Sequence, residues 1–375
     1  MHVTLLANYL PDGQQSMQRY AAMLRDLLVQ QGIEVEVIRP PAFFGRLKPS
    51  AHGLGKWLGY LDKYLVFPAA LIRHVNAKPT IVHICDHSNA PYTRWLREFP
   101  HVVTCHDVLA IQTAGGLIPG RRTGWTGRIL QSAILTGLRS SLHVVCVSDA
   151  TRRDLLKMAP DLAKRTNVVD NALNYPYAPM EAATAREKIA NLNIGNAPYV
   201  LHVGGNHWYK NREGVLRIFA QLKSSHPDLK LVMAGQAPTP EMKQIVREEK
   251  LEGRVTFVVN PATVLLHALY SLAEALVYPS LREGFGWPII EAQACGCPVV
   301  TSDLPPMSQI AGPAALLADP QEPARFAACV AQILAEEPEL RRRRRAEALR
   351  HSARYDTATF IQKMVETYRL ISAKA

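Results

Sequence analysis

Residues 275–301 restrict the fold most tightly. The run Ala275-Leu276-Val277-Tyr278 has the length and unbroken apolar character of a strand buried on both faces. A loop with glycines at 284 and 286 follows, and Trp287-Pro288 opens a helix, because proline in the first turn gives up no hydrogen bond. Gly296 ends that helix and Pro298-Val299-Val300-Thr301 begins the next apolar strand. A strand, a glycine loop, a helix and a second strand in so short a stretch call for a parallel sheet with helices on its faces.

The same segment places Glu283 in the loop and Glu291 on the helix, eight positions apart. The N–H groups of Gly284, Phe285, Gly286 and Trp287 lie at the helix start. They have no acceptor within the helix, and the dipole there favours a phosphate or diphosphate. Glu283 stands beside that anion and Glu291 about two turns on, roughly 12 Å of rise at most. A carboxylate does not attract phosphate, but it accepts hydrogen bonds from hydroxyls, which suits a sugar at Glu283 and a ribose at Glu291. A bare pair of glutamates at this spacing would be a solvated helix face; the surrounding glycines and prolines argue otherwise.

From Pro279 to Val300 the chain follows the pattern PS-xx-EGFG-xP-xxEA-xAxG-xPVV. In this it resembles the retaining glycosyltransferases of family 4 (glycosyl transferases group 1), which share the two-domain α/β fold called GT-B. The resemblance implies two Rossmann-like domains facing across a cleft and a C-terminal helix that crosses back to the first domain.

Two further stretches fit that resemblance. Gly204-Gly205-Asn206-His207-Trp208-Tyr209-Lys210-Asn211-Arg212 follows a strand and precedes a helix near 213–225; its glycines let a ligand approach the backbone, and Lys210 supplies a point charge for a diphosphate. Lys210-Asn211 matches the family loop. Gly205-Asn206 departs from it where many members carry a phosphate-binding arginine, a role that Arg212 or Asn206 could take over. Val102-Val103-Thr104-Cys105 reads as a strand with His106-Asp107 at its carboxyl end, the edge where open α/β sheets bind ligands. His106 resembles the family histidine that contacts the donor sugar; by itself a His-Asp pair in this place reads as a structural cap. His83, His87, His101 and His143 are read as structural. At the first turn the family has paired glycines, whereas this chain has only Gly13 in Asn8–Ser16, with Ser16 a candidate helix cap.

The resemblance therefore assigns His106, Lys210 and Glu283 to catalysis and Gly13 and Asp107 to the acceptor side. Gly204, Gly205, Asn206, Lys210, Asn211, Gly284 to Trp287 and Glu291 hold the donor. It implies transfer of a hexose from a nucleoside-diphosphate sugar of the UDP-glucose or GDP-mannose type, with retention by front-face attack. The acceptor would be a glycan, a lipid-linked precursor or a small molecule. No Asp-x-Asp pair suggests a metal, so no metal or further cofactor is expected. Three other readings stay open: a disaccharide synthase, a phosphorylase, and a GT-B protein that binds a nucleotide or lipid without turnover.

The chain has 375 residues, enough for two domains with separate cores, and 48% apolar against 20% charged residues excludes a disordered chain. Its net charge of +11 is uneven, since residues 1–178 hold 20 Lys and Arg against 12 Asp and Glu. Residues 43–78 mix six Lys and Arg with aromatic side chains and one aspartate. Peripheral contact with a membrane and an amphipathic helix with core aromatics both explain that mixture. No nucleic-acid motif accompanies the charge. The six cysteines mostly fall in or beside apolar segments, and Cys295-Gly-Cys297 is too close and too isolated for zinc, which suits a reducing compartment. With a strand-like start at His2–Ala7 and no membrane-length apolar run, the expectation is no signal peptide and a cytoplasmic location, peripheral on the inner face of the membrane.

Strands are expected near 2–8, 33–39, 81–85, 102–105, 142–147 and 166–169, with helices near 16–31, 89–98, 124–139 and 149–158, the last capped by Ser148. After a linker at 171–180, strands recur near 199–203, 229–234, 255–259, 275–278 and 298–301, and helices at 321–335, 339–350 and 356–373. The domain boundaries are thus an acceptor-side domain over 1–178, a nucleotide-sugar domain over 179–355 and a returning helix over 356–375. Arg341 to Arg345 wraps all round its helix and reads as exposed and solvated.

Overall fold

The fold, a computed structural model, describes residues 1–47, 53–78, 80–192 and 194–373. Two units are distinguished: residues 1–174 together with 357–375, and residues 175–356.

Unit 1 carries six parallel strands in the order β2-β1-β3-β4-β5-β6. They are β1 His2–Leu6, β2 Glu34–Ile38, β3 Ile81–Ile84, β4 His101–Cys105, β5 His143–Cys146 and β6 Thr166–Val168. β3, β4 and β5 are buried at every residue, as strands covered on both faces must be. On edge strand β2 Glu34 and Glu36 face solvent. Leu71 of the helix Phe67–Ala77 and Leu138 of the helix Trp125–Ser140 close over Val82, Val103 and Val144 to form the core. Ser148 Oγ accepts the Thr151 amide and caps the helix Asp149–Met158.

Two local expectations are corrected. The segment expected to be a helix over 89–98 is a run of 3-10 turns over His87–Trp95, since Pro91 inside it cannot donate to an α-helical ladder. Ser16 lies within the first helix, Gln15–Gln30, and does not cap it; its N-cap is Gln14, without a side-chain bond.

The last helix, Thr357–Ser372, belongs to unit 1. Tyr368 OH is 2.6 Å from Nδ1 of the buried His83, whose Nε2 is 2.7 Å from Thr104 Oγ1, and Phe360 packs edge-on against Tyr20.

Unit 2 carries β7 Tyr199–Gly204, β8 Lys230–Gly235, β9 Val255–Val259, β10 Ala275–Tyr278, β11 Val299–Ser302 and β12 Leu316–Ala318, all parallel, in the order β12-β11-β10-β7-β8-β9. The three-residue β12 is absent from the sequence reading. Phe219, Leu231, Met233 and Phe326 are at the centre of the core. The carboxyl ends of β7 and β8 come very close: a Cβ on Gly235, whose φ is 138°, would stand 2.0 Å from the Gly204 carbonyl oxygen, so only glycine fits.

The helix Pro338–Ser352 corrects the reading of Arg341–Arg345 as wholly solvated. Arg342 and Arg343 are exposed and pair with Glu339. Arg341 instead reaches Glu274 at 3.0 Å, and Arg344 pairs with the buried Glu336 at 2.5 Å and donates to the Ala314 carbonyl at 2.8 Å. A run that goes all the way round a helix must turn some members inward, and here they are three apart.

The strand order reverses between β1 and β3 in unit 1 and between β7 and β10 in unit 2. Open parallel sheets take ligands at the carboxyl ends of the strands at such a reversal. No described helix is long and apolar enough to cross a membrane.

Candidate functional site

In unit 2 the loops after β7 and β10 meet at the reversal. Trp208–Lys210 forms a 3-10 turn that ends at Asn211, in the left-handed conformation at φ 51°. The Leu281 amide donates to the Tyr209 carbonyl at 2.7 Å, and Asn211 Nδ2 donates to the carbonyls of Pro279 and Pro320, each at 3.1 Å. These bonds bring Lys210 onto Glu283, with Nζ 2.7 Å and 2.9 Å from the two carboxylate oxygens. Tyr278 OH donates to Glu283 Oε1 at 2.6 Å, and Lys210 Nζ lies 3.0 Å from the same hydroxyl. The cation, the carboxylate and the phenol form one cluster, largely buried.

Gly286, at φ 106°, starts the helix Trp287–Ala294. The Phe285 ring is buried edge-on against Tyr355, which seats the loop. Glu291 is buried on that helix, and its Oε2 accepts a hydrogen bond from Tyr270 OH at 2.8 Å. Burial first, and the Glu291 charge next, push the Tyr270 phenol well above its ordinary range, so it stays a donor. The two glutamates thus have different surroundings: Glu283 faces a cation, Glu291 a neutral phenol.

Gly204, Gly205 and Asn206 follow β7. The Asn206 amide donates to Gln236 Oε1 at 2.6 Å and its side chain to the Ala237 carbonyl at 2.8 Å, which stitches this loop to the one after β8. Arg212 lies beneath, only 3% exposed, with Nη1 bonded to Asn206 Oδ1 and, at 2.9 Å, to the Gln236 carbonyl. Its Nε and Nη2 are buried without a hydrogen-bond partner, and burial lowers its pKa to about 10. Arg212 therefore acts through Asn206 and Gln236 and does not present its guanidinium at the surface. His202, fully buried in β7, bonds through Nδ1 to the Val277 carbonyl at 2.9 Å, and burial holds it neutral with a pKa of about 3.

In unit 1 the carboxyl ends of β1, β3 and β4 bring together Asn8, Asp86, His87 and His106. His106 is buried, its Nε2 lies 2.8 Å from the Cys85 carbonyl oxygen, and Tyr20 packs edge-on at 4.7 Å. Burial lowers its pKa, against an opposing effect of Asp86. Asp86 is buried and accepts from Asn8 Nδ2, the Ser88 amide at 3.0 Å and Ser88 Oγ at 2.7 Å. His87 Nδ1 is 3.1 Å from Asp86 Oδ1 and 3.4 Å from the His106 amide nitrogen; the shorter contact, with an anion, assigns the Nδ1 proton to Asp86. Although burial alone would lower it, the Asp86 carboxylate raises the His87 pKa, and the same pairing holds Asp86 well below the carboxylate range despite its burial.

Asp107 accepts the Leu109 amide at 3.0 Å, just before the helix Leu109–Ala114, whose N-cap is Val108. Gly13 is exposed and ends the turn Leu10–Asp12 in the left-handed conformation. Neither touches the Asn8–Asp86–His87 group through a recorded hydrogen bond. His101 and His143 make structural bonds, to the Phe99 carbonyl and to Asn167. His87 lies at the strand reversal, with Nδ1 3.1 Å from Asp86 Oδ1. Asn8 and Asp86 were not singled out in sequence, where nothing distinguishes them; only the order of the strands sets them side by side.

Two family models match the chain, one described as Glycosyl transferases group 1 over residues 184–351 and one as Glycosyltransferase Family 4 over residues 17–175. The chain is similar to O-antigen chain mannosyltransferase B of Escherichia coli, 26% identical over 273 residues that span 72% of this chain and 70% of that protein. It is also similar to glycogen synthase of Mycobacterium tuberculosis, 26% identical over 301 residues, 78% and 69% of the two chains. Among solved structures, sucrose-phosphate synthase from Thermosynechococcus elongatus superposes with a TM-score of 0.79 at 22% identity over the whole of both chains. Anabaena Alr3699/HepE in complex with UDP-glucose does so with a TM-score of 0.73 at 18% identity over 98% and 99%. At these identities the structural likeness is one of fold.

Proposed function

The chain belongs to the family 4 glycosyltransferases of the GT-B fold, and we propose that it moves a hexose from a nucleoside-diphosphate sugar to an acceptor hydroxyl, with retention and without a metal ion. The observation that carries this reading is the Lys210–Glu283–Tyr278 cluster at the strand reversal of unit 2, with Glu291 about one turn into the adjoining helix.

In this reading the donor's diphosphate lies against Lys210 and the start of the helix Trp287–Ala294. Lys210 neutralises the charge that grows on the leaving diphosphate, and fixed backbone dipoles assist it. Glu283, freed in part from Lys210 by the competing phosphate, accepts hydrogen bonds from the sugar's hydroxyls and fixes its orientation. Glu291 accepts from the ribose, with Tyr270 holding its other oxygen. Arg212 keeps the Gly205–Asn206 loop in place, standing in for the loop arginine by position and charge. In unit 1, His106 is the proposed catalytic histidine, with the Asp86–His87 pair beside it. Retention follows from front-face attack: the acceptor oxygen bonds to the anomeric carbon on the face the diphosphate leaves, and its proton passes to the departing phosphate oxygen.

The donor class is supported by the UDP-glucose held in the Anabaena structure and by the mannosyl transfer named for the Escherichia coli relative. A glycan or lipid-linked precursor is the acceptor class this favours. The test is a thermal-shift panel of nucleotide sugars on the unaltered chain and on Glu291→Ala. A donor raises the melting temperature only if the folded state binds it, and Glu291→Ala should shrink that shift. A panel with no shift would contradict the reading.

A further inference from the structure

We propose that unit 1 docks on an anionic lipid surface through two separate exposed segments, residues 53–73 and residues 117–129. This does not rest on the transfer reading.

The first segment is one continuous helical stretch, Gly53–Leu61, a π turn over Asp62–Val66 and Phe67–Ala77. Phe67 and Leu71 bury one side in the core. On the opposite side Trp57, Leu61 and Leu65 follow at a spacing of four and stand in solvent, Trp57 at 55% and Leu65 at 69% exposure. Exposed cations border them at Arg46, Lys56 and Arg73. The one acidic residue, Asp62, is fully buried and turned inward, where it accepts from Tyr9 OH and from the amides of Phe44 and Gly45. Its charge is thereby removed from the surface, which leaves that surface basic. The sixth cation, Lys48, lies outside the described residues.

The second segment was not singled out in sequence. From residue 108 to residue 148 there is no Asp or Glu, while Arg121, Arg122, Arg128 and Arg139 are present. Within it Leu117, Trp125 and Ile129 are exposed, Trp125 at 74% and Ile129 at 61%, and Arg121, Arg122 and Arg128 are exposed among them. Trp125 and Ile129 are one helical turn apart at the start of the helix Trp125–Ser140. The first segment and the helix Trp125–Ser140, which begins in the second, rest on the same 3-10 run: Tyr64 and Phe67 pack on Tyr92, and Thr93 Oγ1 donates to the Gly137 carbonyl at 3.0 Å.

Large apolar side chains in water, bordered by cations and by one acid, Asp12, that Lys63 neutralises at 2.8 Å, match a bilayer interface. Tryptophan and leucine enter at headgroup depth while Lys and Arg meet anionic lipid. A protein partner would not require acid to be cleared from 41 consecutive residues. Nucleic acid would not favour isolated leucines and isoleucine in solvent.

The experiment is co-sedimentation of the full chain with vesicles of phosphatidylglycerol and phosphatidylcholine, beside vesicles of phosphatidylcholine alone. Binding is expected to the anionic vesicles only. It should weaken about tenfold in Trp125→Ser/Ile129→Ser and in Arg122→Gln/Arg128→Gln, and similarly in Trp57→Ser/Leu65→Ser, with unchanged melting temperatures. Salt should weaken it without abolishing it, because the apolar contribution is not screened. No binding to anionic vesicles, equal binding by all three variants, or retention only on single-stranded RNA would each overturn the proposal.

Discussion

Lys210 Nζ lies within 3 Å of both carboxylate oxygens of Glu283, 2.7 Å from one and 2.9 Å from the other, while Tyr278 OH donates to the nearer oxygen at 2.6 Å. The contact joins the loop after β7 to the loop after β10, at the one place where the strand order of unit 2 reverses. If Lys210 also meets the leaving diphosphate, Lys210→Met should lower transfer about 100-fold or more. It leaves Glu283 without its cation, at a stability cost of about 1–3 kcal/mol. Activity normalised to folded protein, followed with the urea midpoint, separates the two; a loss of activity no larger than the loss of folded protein would assign Lys210 to structure alone.

Arg212→Met removes a buried charge and two hydrogen bonds that hold Asn206 and Gln236. Titration with UDP and GDP should show about tenfold weaker binding, whereas uridine and guanosine, which carry no phosphate, should bind nearly as before. Arg212→Lys, which keeps the charge but not the planar, more weakly hydrated head, should recover only part. Equal losses for nucleotide and nucleoside would contradict a role toward phosphate.

Stability should decline in mild acid. Burial holds His83 in unit 1, with His106 nearby adding to the effect, and His202 in unit 2 at pKa values of about 3, whereas an unfolded histidine takes up its proton near pH 6.5. Between those values the unfolded chain binds more protons. Each residue's contribution is therefore complete above about pH 6.5 and is lost as pH falls toward 3, at about 1.4 kcal/mol per pH unit per histidine. Urea unfolding at pH 7.5 and pH 5 measures the slope, and His83→Gln should flatten it by one proton's worth. An unchanged slope in that variant would contradict the assignment.

Arg344→Ala and Arg342→Ala should differ. Arg344 is mostly enclosed, with Glu336 and the Ala314 carbonyl as partners, so its removal should cost about 2–3 kcal/mol. Arg342, exposed beside Glu339, should cost under about 0.5 kcal/mol. Chemical denaturation of the two variants decides it.

Much of this architecture was legible in sequence because its strands are continuous apolar runs bounded by glycine and proline, and burial on both faces leaves no other composition. Gly286 at φ 106° and the proline in the first turn of its helix mark the loop after β10 for a similar reason: few residues tolerate those positions. What escaped is what depends on strand order. Asn8 is far along the chain from the adjacent Asp86 and His87 and meets them only because β1 and β3 are neighbours. Whether Arg212 faces solvent or the interior, and which of five arginines turn inward, follows from packing that local spacing does not encode. Pro91 did carry a signal against an α-helix over 89–98, and the apolar periodicity around it concealed that signal.

The central claim is that unit 2 holds a nucleoside-diphosphate sugar at Lys210, Glu283 and Glu291. The most direct measurement is calorimetric titration of the unaltered chain with UDP-glucose and GDP-mannose, repeated with Glu291→Ala. Saturable binding of at least one donor, weakened about tenfold or more by Glu291→Ala while the melting temperature of the variant still reports a folded chain, is the predicted result. Binding that Glu291→Ala leaves unchanged, or no binding of either donor, would contradict it.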